Sequence, residues 1–362
     1  MPRNLLTLRQ LNRATLARQL LLERHDLTPV AATAHLVALQ AQVPRPPFIG
    51  LWSRTVRATR EGIVKDLLAK RLVRGTFLRG TLHVMSADDY RRFRTPLQLA
   101  LDRGIRVIGE RADTFDVEQV LALGRTFFKK AQTFDAFRDH LAATYPDGDV
   151  RAMAYATRMQ VPLLQVPTDT PWGFPAQAGF MSADAWLGST ALVGASVDDL
   201  MMRYLAAYGP ATCADAQSWC GIPGLKAVFE RLRPRLVSFK AERGGEVFDL
   251  PDAPRPDEDV PAPVRFLPDW DNAIVGRADA RMLDPQHRAR VFQPGLRVLA
   301  TVLVDGMVAA TWKIERTKSA ADLTVTTFGT VPSRRRPEIE KEGKALLAFV
   351  EPDAATARVK IA

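Results

Sequence analysis

Three times along this 362-residue chain the apolar spacing passes from helical to β, and that recurrence constrains the fold most. In the first copy, Leu11, Ala14, Ala17 and Leu21 form one helical face, in a helix beginning near Thr7. Thr28-Pro29 reads as an N-cap followed by proline in the first turn of a helix burying Val30, Thr33, Ala34, Val37 and Ala38. A third helix is expected over 61–72 with Ile63, Val64, Leu67 and Leu68 inward, and 75–85 then reads as β. Ser86 and Asp89 resemble a capping pair at the head of a long helix. Beyond it a weaker copy has helices over 117–131, 134–145 and 149–159, then strands over 161–166 and 178–181. The third copy is the clearest, with helices over 197–208, 213–219 and 224–233. Strands over 235–242 and 247–250 follow, joined by Gly244-Gly245.

Three short helices followed by a hairpin is the plan of a winged helix-turn-helix. The predicted class is therefore mainly α with β wings (α+β). The predicted division is 1–85, 86–195 and 196–250 for the three units, a proline-rich exposed linker over 251–264, and a β-rich region over 265–362. In that last region Asp305-Gly306 is a two-residue hairpin signal between apolar runs, and a helix burying Ile339, Leu346, Leu347 and Phe349 precedes a closing strand.

The net charge of +10, at a pI near 9.9, favours a polyanionic partner, with an arginine-biased composition as the alternative. No run of apolar residues is long enough to span a membrane, and the N-terminus lacks the apolar core of a signal peptide. A cytoplasmic, monomeric protein is expected. Cys213 and Cys220 have the spacing of neither a zinc knuckle nor a redox pair and read as buried thiols. The five histidines show no metal-ligand spacing and there is no glycine-rich phosphate loop, so neither metal nor cofactor is expected.

One short string stands out against this background. Gln40-Ala41-Gln42 lies where a helix runs into Pro44, Pro46 and Pro47. If residues 40–42 are extended, both amides project to one side, whereas in a helix they diverge by about 200°. The plain alternative is a glutamine at a helix end followed by a solvated one.

With Leu39–Gln42, four segments together resemble a known family: Leu78 to His83, Tyr208 to Thr212 with Asp215 and Trp219, and Leu267 to Asn272 complete the set. They resemble the AlkZ-like DNA glycosylases of the HTH_42 winged-helix superfamily, in family order and over most of the chain. The resemblance implies tandem winged helices in a C-shaped arrangement around double-stranded DNA, closed by a C-terminal β region. It implies catalysis by a Gln–apolar–Gln motif, here Gln40 and Gln42; another branch carries Asp in the last position. It implies hydrolytic release of bulky N7-alkylguanine, from monoadducts or interstrand crosslinks, as in self-resistance to a genotoxin.

Two amides suit that chemistry. N7-alkylation makes guanine a good leaving group, so a placed water matters more than a strong acid. A glutamine oxygen can accept from that water while its NH₂ donates elsewhere. Phosphate contacts are expected from Arg45, Arg54, Arg277, Arg281, Lys313, Arg334, Arg335 and Arg336. Arg79, Thr81 and His83 alternate along an expected strand and would share a DNA-facing side, with a structural hydrogen-bonding role for His83 as the alternative. Asp271 is a candidate electrostatic helper near the sugar, and the hairpin at 304–307 is the expected one to approach the lesion. The rival functions are a non-enzymatic winged-helix transcriptional regulator and a protein-interaction scaffold.

Overall fold

A computed structural model describes residues 5–188, 194–276 and 279–362. Strand β1 (Leu5–Leu6) leads into α1 (Leu8–Arg18), which Thr7 and Gln10 cap reciprocally. Helix α2 (Pro29–His35) starts where its Thr28 cap predicts. It stops early, because Val37 turns left-handed at φ 68°; Val37 and Ala38 are buried beyond its end. Strand β2 (Leu39–Gln40) follows, then α3 (Arg45–Arg54), α4 (Arg60–Leu68), β3 (Leu72–Thr76) and β4 (Leu82–Ser86).

Helix α3 corrects the sequence reading. Val43, Arg45 and Pro46, each followed by a proline, are expected to be extended, yet Arg45 and Pro46 open helix α3, and Pro44 before them is already at φ −63°, ψ −37°. First-turn N–H groups have no helical partner, so proline costs nothing there. The strand itself covers Leu39–Gln40, and the chain bends from Gln42 onward. Leu68 is 42% exposed rather than inward, since α4 ends on it.

Helix α5 (Ala87–Ile108) is capped by Ser86 as expected. Helices α6 (Val117–Phe127), α7 (Phe134–Thr144) and α8 (Val150–Gln160) precede β5 (Leu163–Gln165), β6 (Phe180–Ser182) and the short α9 (Ala183–Leu187). The third copy has α10 (Val197–Tyr208), α11 (Cys213–Cys220) and α12 (Leu225–Leu232), then β7 (Val237–Ala241) and β8 (Glu246–Asp249). In each copy a short bridge precedes the two helices that lead into the strands: β2 before α3 in the first, Gln132 with Phe180 before α7 in the second, Ala211 with Phe248 before α11 in the third. The order helix, bridge, helix, helix, two antiparallel strands thus recurs.

The copies are not separate beads. Strands β2, β4, β3, β5 and β6 make one sheet, joined across the first two copies where Arg74 pairs with Gln165 and Gly75 with Leu164. Strand β1 adds in parallel to β7, tying the start of the chain to the third copy.

The rest comprises β9 (Arg265–Leu267), α13 (Asn272–Val275), α14 (Arg288–Val291), β10 (Phe292–Gln293), β11 (Arg297–Val298), β12 (Thr301–Val304), β13 (Met307–Arg316), β14 (Ala320–Thr327), α15 (Arg336–Val350) and β15 (Thr356–Ile361). Its main sheet runs β15-β14-β13-β12-β9, with only the β14–β15 pair parallel. Helix α15 packs Ile339, Leu346 and Leu347 on that sheet, and Ile49 of α3 enters the same core. Phe48 and Leu51 of α3 belong to the core of the first copy, so α3 rivets the two regions together. The segment over 251–264 is about half exposed and is anchored: Glu258 accepts from Thr7, and the Val260 carbonyl accepts from Arg13 at 2.6 Å.

Candidate active site around the glutamine pair

Gln40 faces His83 in the β2–β4 register. Ala41 continues the pairing through its N–H to the Leu82 carbonyl at 2.7 Å. The extended condition for the two amides is therefore met at Gln40, where a helical end was the alternative. The carbonyl of Ala41 accepts from Nε and Nη2 of Arg74 at 3.0 and 2.6 Å. Arg74 is buried over the Phe174 ring, and burial beside Arg158 lowers its pKa to about 10. Sequence reasoning passed over this residue. Its signal was an arginine centred in an otherwise strand-like, buried run, Leu72 to Thr76.

The side-chain partners distinguish the glutamines. Oε1 of Gln40, which is 7% exposed, accepts from Arg79 Nη2 at 2.6 Å. Oε1 of Gln42, which is exposed, accepts from the Leu82 N–H at 3.0 Å. A guanidinium and a backbone N–H can only donate, so both amide orientations are fixed. Neither NH₂ group has an acceptor among the described residues.

Arg79, Thr81 and His83 do not share a strand face. Arg79 sits in a 3-10 turn, Leu78–Gly80, with φ 54°, and only His83 lies in β4. Burial lowers the pKa of Arg79. Thr81 donates to the Leu78 carbonyl at 3.1 Å. His83 is fully buried, with Nδ1 3.0 Å from the Thr81 carbonyl and Nε2 unpartnered. Burial, helped by Arg79, depresses its pKa to about 3, so it is neutral at working pH.

The basic residues divide sharply. Arg54, expected on the surface, is completely buried and grips Asp271 through two bonds of 2.8 Å. Asp271 also caps α13 through Ala273 N–H at 2.9 Å, so its charge is spent inside the protein. Arg281 is likewise 1% exposed, paired with Asp279 and donating to the Pro210 carbonyl at 2.8 Å. Arg277 lies outside the described residues. Arg334 and Arg336 are exposed, while Arg335 pairs with Glu338 at 2.8 Å. Lys313 is exposed and pairs with Glu315 at 2.7 Å.

Two clefts flank the motif. One, of about 540 Å³, is lined by Val43, Arg45, Asp269, Arg297, Trp312 and Lys313 among others. Burial lowers the pKa of Arg45 and raises that of Asp269 in this cleft. The other, of about 700 Å³, runs from Leu82 to Arg138, Arg151 and Arg158 of α7 and α8. None of these last three arginines was singled out from sequence; their signal was basic residues on the last two helices of the second copy.

The Asp305-Gly306 turn forms as expected, with φ 49° and 80°, but its tip is not free. Arg9 and Arg13 bind Asp305 at 3.0 and 2.6 Å, and Asn12 donates to the Gly306 carbonyl at 2.8 Å. The projecting turn is instead the one between β10 and β11, where Leu296 is 91% exposed and its carbonyl accepts from Trp270 Nε1 at 2.9 Å. Among the described residues no three His, Cys, Asp or Glu side chains converge as a metal site would require. No described helix is long and apolar enough to cross a membrane.

A family model described as DNA glycosylase AlkZ-like matches residues 33–349. No curated protein matches in sequence. Among solved structures, the Streptomyces sahachiroi DNA glycosylase AlkZ is similar over 99% of this chain and 100% of its own, with a TM-score of 0.79 at 20% identity. That likeness concerns the fold, while the sequence pattern spans both glutamines and both flanking clefts; the chain belongs to the AlkZ-like DNA glycosylase family.

Proposed function

We propose that this glycosylase hydrolyses the N-glycosidic bond of bulky, cationic N7-alkylguanine in duplex DNA, as monoadducts or interstrand crosslinks, and leaves an abasic site without cleaving the strand. The observation that carries this reading is the fixed orientation of the two amides. Gln42 keeps one lone pair on an exposed, N–H-polarised oxygen. It accepts a proton-side bond from the attacking water. Gln40 has its oxygen committed to a cation and offers its NH₂ as a donor toward the sugar–base junction. Neither amide is a base strong enough to deprotonate water. The reaction therefore depends on a leaving group that departs as a neutral base from a cation.

The recurring helix, bridge, helix, helix, hairpin order supports reading the three copies as winged helices set in a C around the duplex. Arg138, Arg151 and Arg158 on one side, and Arg45, Arg297 and Lys313 on the other, are then the phosphate contacts nearest the motif. The β10–β11 hairpin approaches the lesion, because the Asp305 turn is bound to α1. Open clefts suit an adduct too large for a tight base-flipping pocket. Self-resistance of an organism making a DNA-alkylating product fits such a substrate.

The test is to incubate the monomeric enzyme with duplexes carrying N7-methylguanine or a nitrogen-mustard crosslink and to score alkali-labile sites. Release is expected, without a borohydride-trapped protein–DNA adduct. Gln42→Ala should lower the single-turnover rate about 100-fold with DNA affinity nearly unchanged. No release from any cationic purine adduct refutes the proposal.

A further inference from the structure

Arg79 has an unusual position for a residue expected to share a DNA-facing strand side. Its guanidinium reaches two elements at once. Nη2 donates to Oε1 of Gln40 at 2.6 Å, and Nη1 donates to the carbonyl of Trp219 in α11. That carbonyl belongs to the last turn of α11, where the helix presents its negative end. The backbone of Arg79 is equally constrained. It is left-handed at φ 54°, a conformation that non-glycine residues seldom take. Gly221, which ends α11 at φ 82°, lies against it so closely that a Cβ there would sit 3.2 Å from the Arg79 Cα. Both the side chain and the backbone of Arg79 are thus held by the third copy, while the side chain fixes an amide of the first.

We infer that Arg79 is a positioning residue: it sets the Gln40 amide with oxygen inward and NH₂ outward, and it makes that setting depend on the seating of α11 from the third copy. This rests on the proposed glycosylase chemistry for its effect on rate, but not for the amide setting itself. An amide has two nearly isosteric orientations, and without a donor-only partner Gln40 can present either face. Arg79 removes that freedom. The half-buried guanidinium is held at both ends, by the Gln40 amide oxygen and by the Trp219 carbonyl, which makes the bond to Gln40 persistent. The third copy then has a second role beyond any contact with DNA. Its docking completes the catalytic motif, some 180 residues earlier in the chain.

The experiment has two arms. Selective ¹⁵N-glutamine labelling of the free protein reads the Gln40 NH₂ pair directly, assigned by its loss in Gln40→Ala. In Arg79→Ala the pair is expected to move toward the positions of solvent-exposed glutamines, and in Gly221→Ala to shift in the same direction. Single-turnover release of N7-methylguanine from a duplex is the second arm. Arg79→Ala should slow it about 100-fold, with less than about 3-fold change in duplex affinity. The double variant with Gln40→Ala should be no slower than Gln40→Ala alone. Arg79→Lys, which keeps the charge but cannot span both carbonyls, replaces Arg79→Ala should that variant not fold, with the same shift expected. An unmoved Gln40 signal overturns the inference, as does a double variant in which the two losses multiply. A wild-type enzyme that releases no base refutes the glycosylase reading alone; the amide signal still decides the role of Arg79.

Discussion

Replacing Asp271 with asparagine separates structure from chemistry at the site most easily misread. The Arg54 guanidinium is wholly enclosed and makes four bonds: two to Asp271 at 2.8 Å, one to the Gln19 carbonyl at 2.9 Å and one to the Gly50 carbonyl at 3.0 Å. Asparagine preserves shape but removes the charge and turns an NH₂ toward the guanidinium. An uncompensated buried cation costs about 3–5 kcal/mol. Unfolding entropy near 2.1 cal/mol/K per residue gives about 0.8 kcal/mol/K for a chain of this length, so Tm should fall by about 4–7 °C. Thermal unfolding followed by circular dichroism measures this, and the same samples report the single-turnover rate well below Tm. Rate should stay within about 3-fold of wild type, because Asp271 caps α13 and binds Arg54 rather than facing the sugar. Pairing Asp271→Leu with Arg54→Met should regain part of the loss, since two apolar residues leave no unpaired charge. A Tm within about 1 °C of wild type, with the rate down about 100-fold, would refute the structural role and restore the carboxylate to the chemistry.

Other expectations follow from individual contacts. Leu296→Ala at the projecting β10–β11 turn should leave Tm unchanged and slow release from a duplex, whereas Gly306→Ala should lower Tm, because its Cβ would lie 2.6 Å from Asn12 Oδ1, and spare the rate of the folded enzyme. The opposite pattern would return the lesion contact to the Asp305 turn. His83 has a folded pKa of about 3 against 6.5 unfolded. As pH falls below 6.5 the unfolded chain takes up a proton the folded one refuses, and stability drops by about 1.4 kcal/mol per pH unit until about pH 3. Urea titrations from pH 7 to 4 should show a shallower fall for His83→Gln, and equal slopes would mean His83 protonates in the fold. Changing Arg138, Arg151 or Arg158 singly to glutamine should reduce the salt slope of duplex binding by about one each. An unchanged slope would remove that residue from the phosphate path.

Local chemistry made much of the fold legible. Thr7, Thr28, Ser86 and Thr212 all cap helices, because a short hydroxyl side chain answers the orphan N–H groups of a first turn. Helix α10 begins and ends where the periodicity placed it. Proline misled the reading at α3, since the same residue that breaks a helix interior is favoured in its first turn. Arginine misled it at Arg54 and Arg281. Their burial depends on Asp271 and Asp279, and the Arg54 partner lies far along the chain, which spacing does not encode. Arg79 was hidden for another reason: alternation predicts a strand, and a left-handed residue stabilised by a distant glycine leaves no periodic trace.

The buried arginines also sharpen what the charge means. Arg18 with Asp249, Arg54 with Asp271 and Arg281 with Asp279 cancel in pairs inside the protein. They take nothing from the surplus of +10, which must therefore be carried by other residues. The clefts beside Gln42 concentrate part of it, with Arg45, Arg297 and Lys313 on one side and Arg138, Arg151 and Arg158 on the other. The motif between them bears no charge of its own, and its cation, Arg79, is turned inward to an amide and a helix end. In the proposed reaction a positive rim would draw in the phosphates, while a neutral centre would leave room for a positive base and a sugar gaining positive charge. A lysine or arginine presented at the centre would strengthen DNA binding and oppose the reaction. Two amides held by donor-only partners would meet both demands under that proposal, orienting water and sugar without adding charge where charge develops.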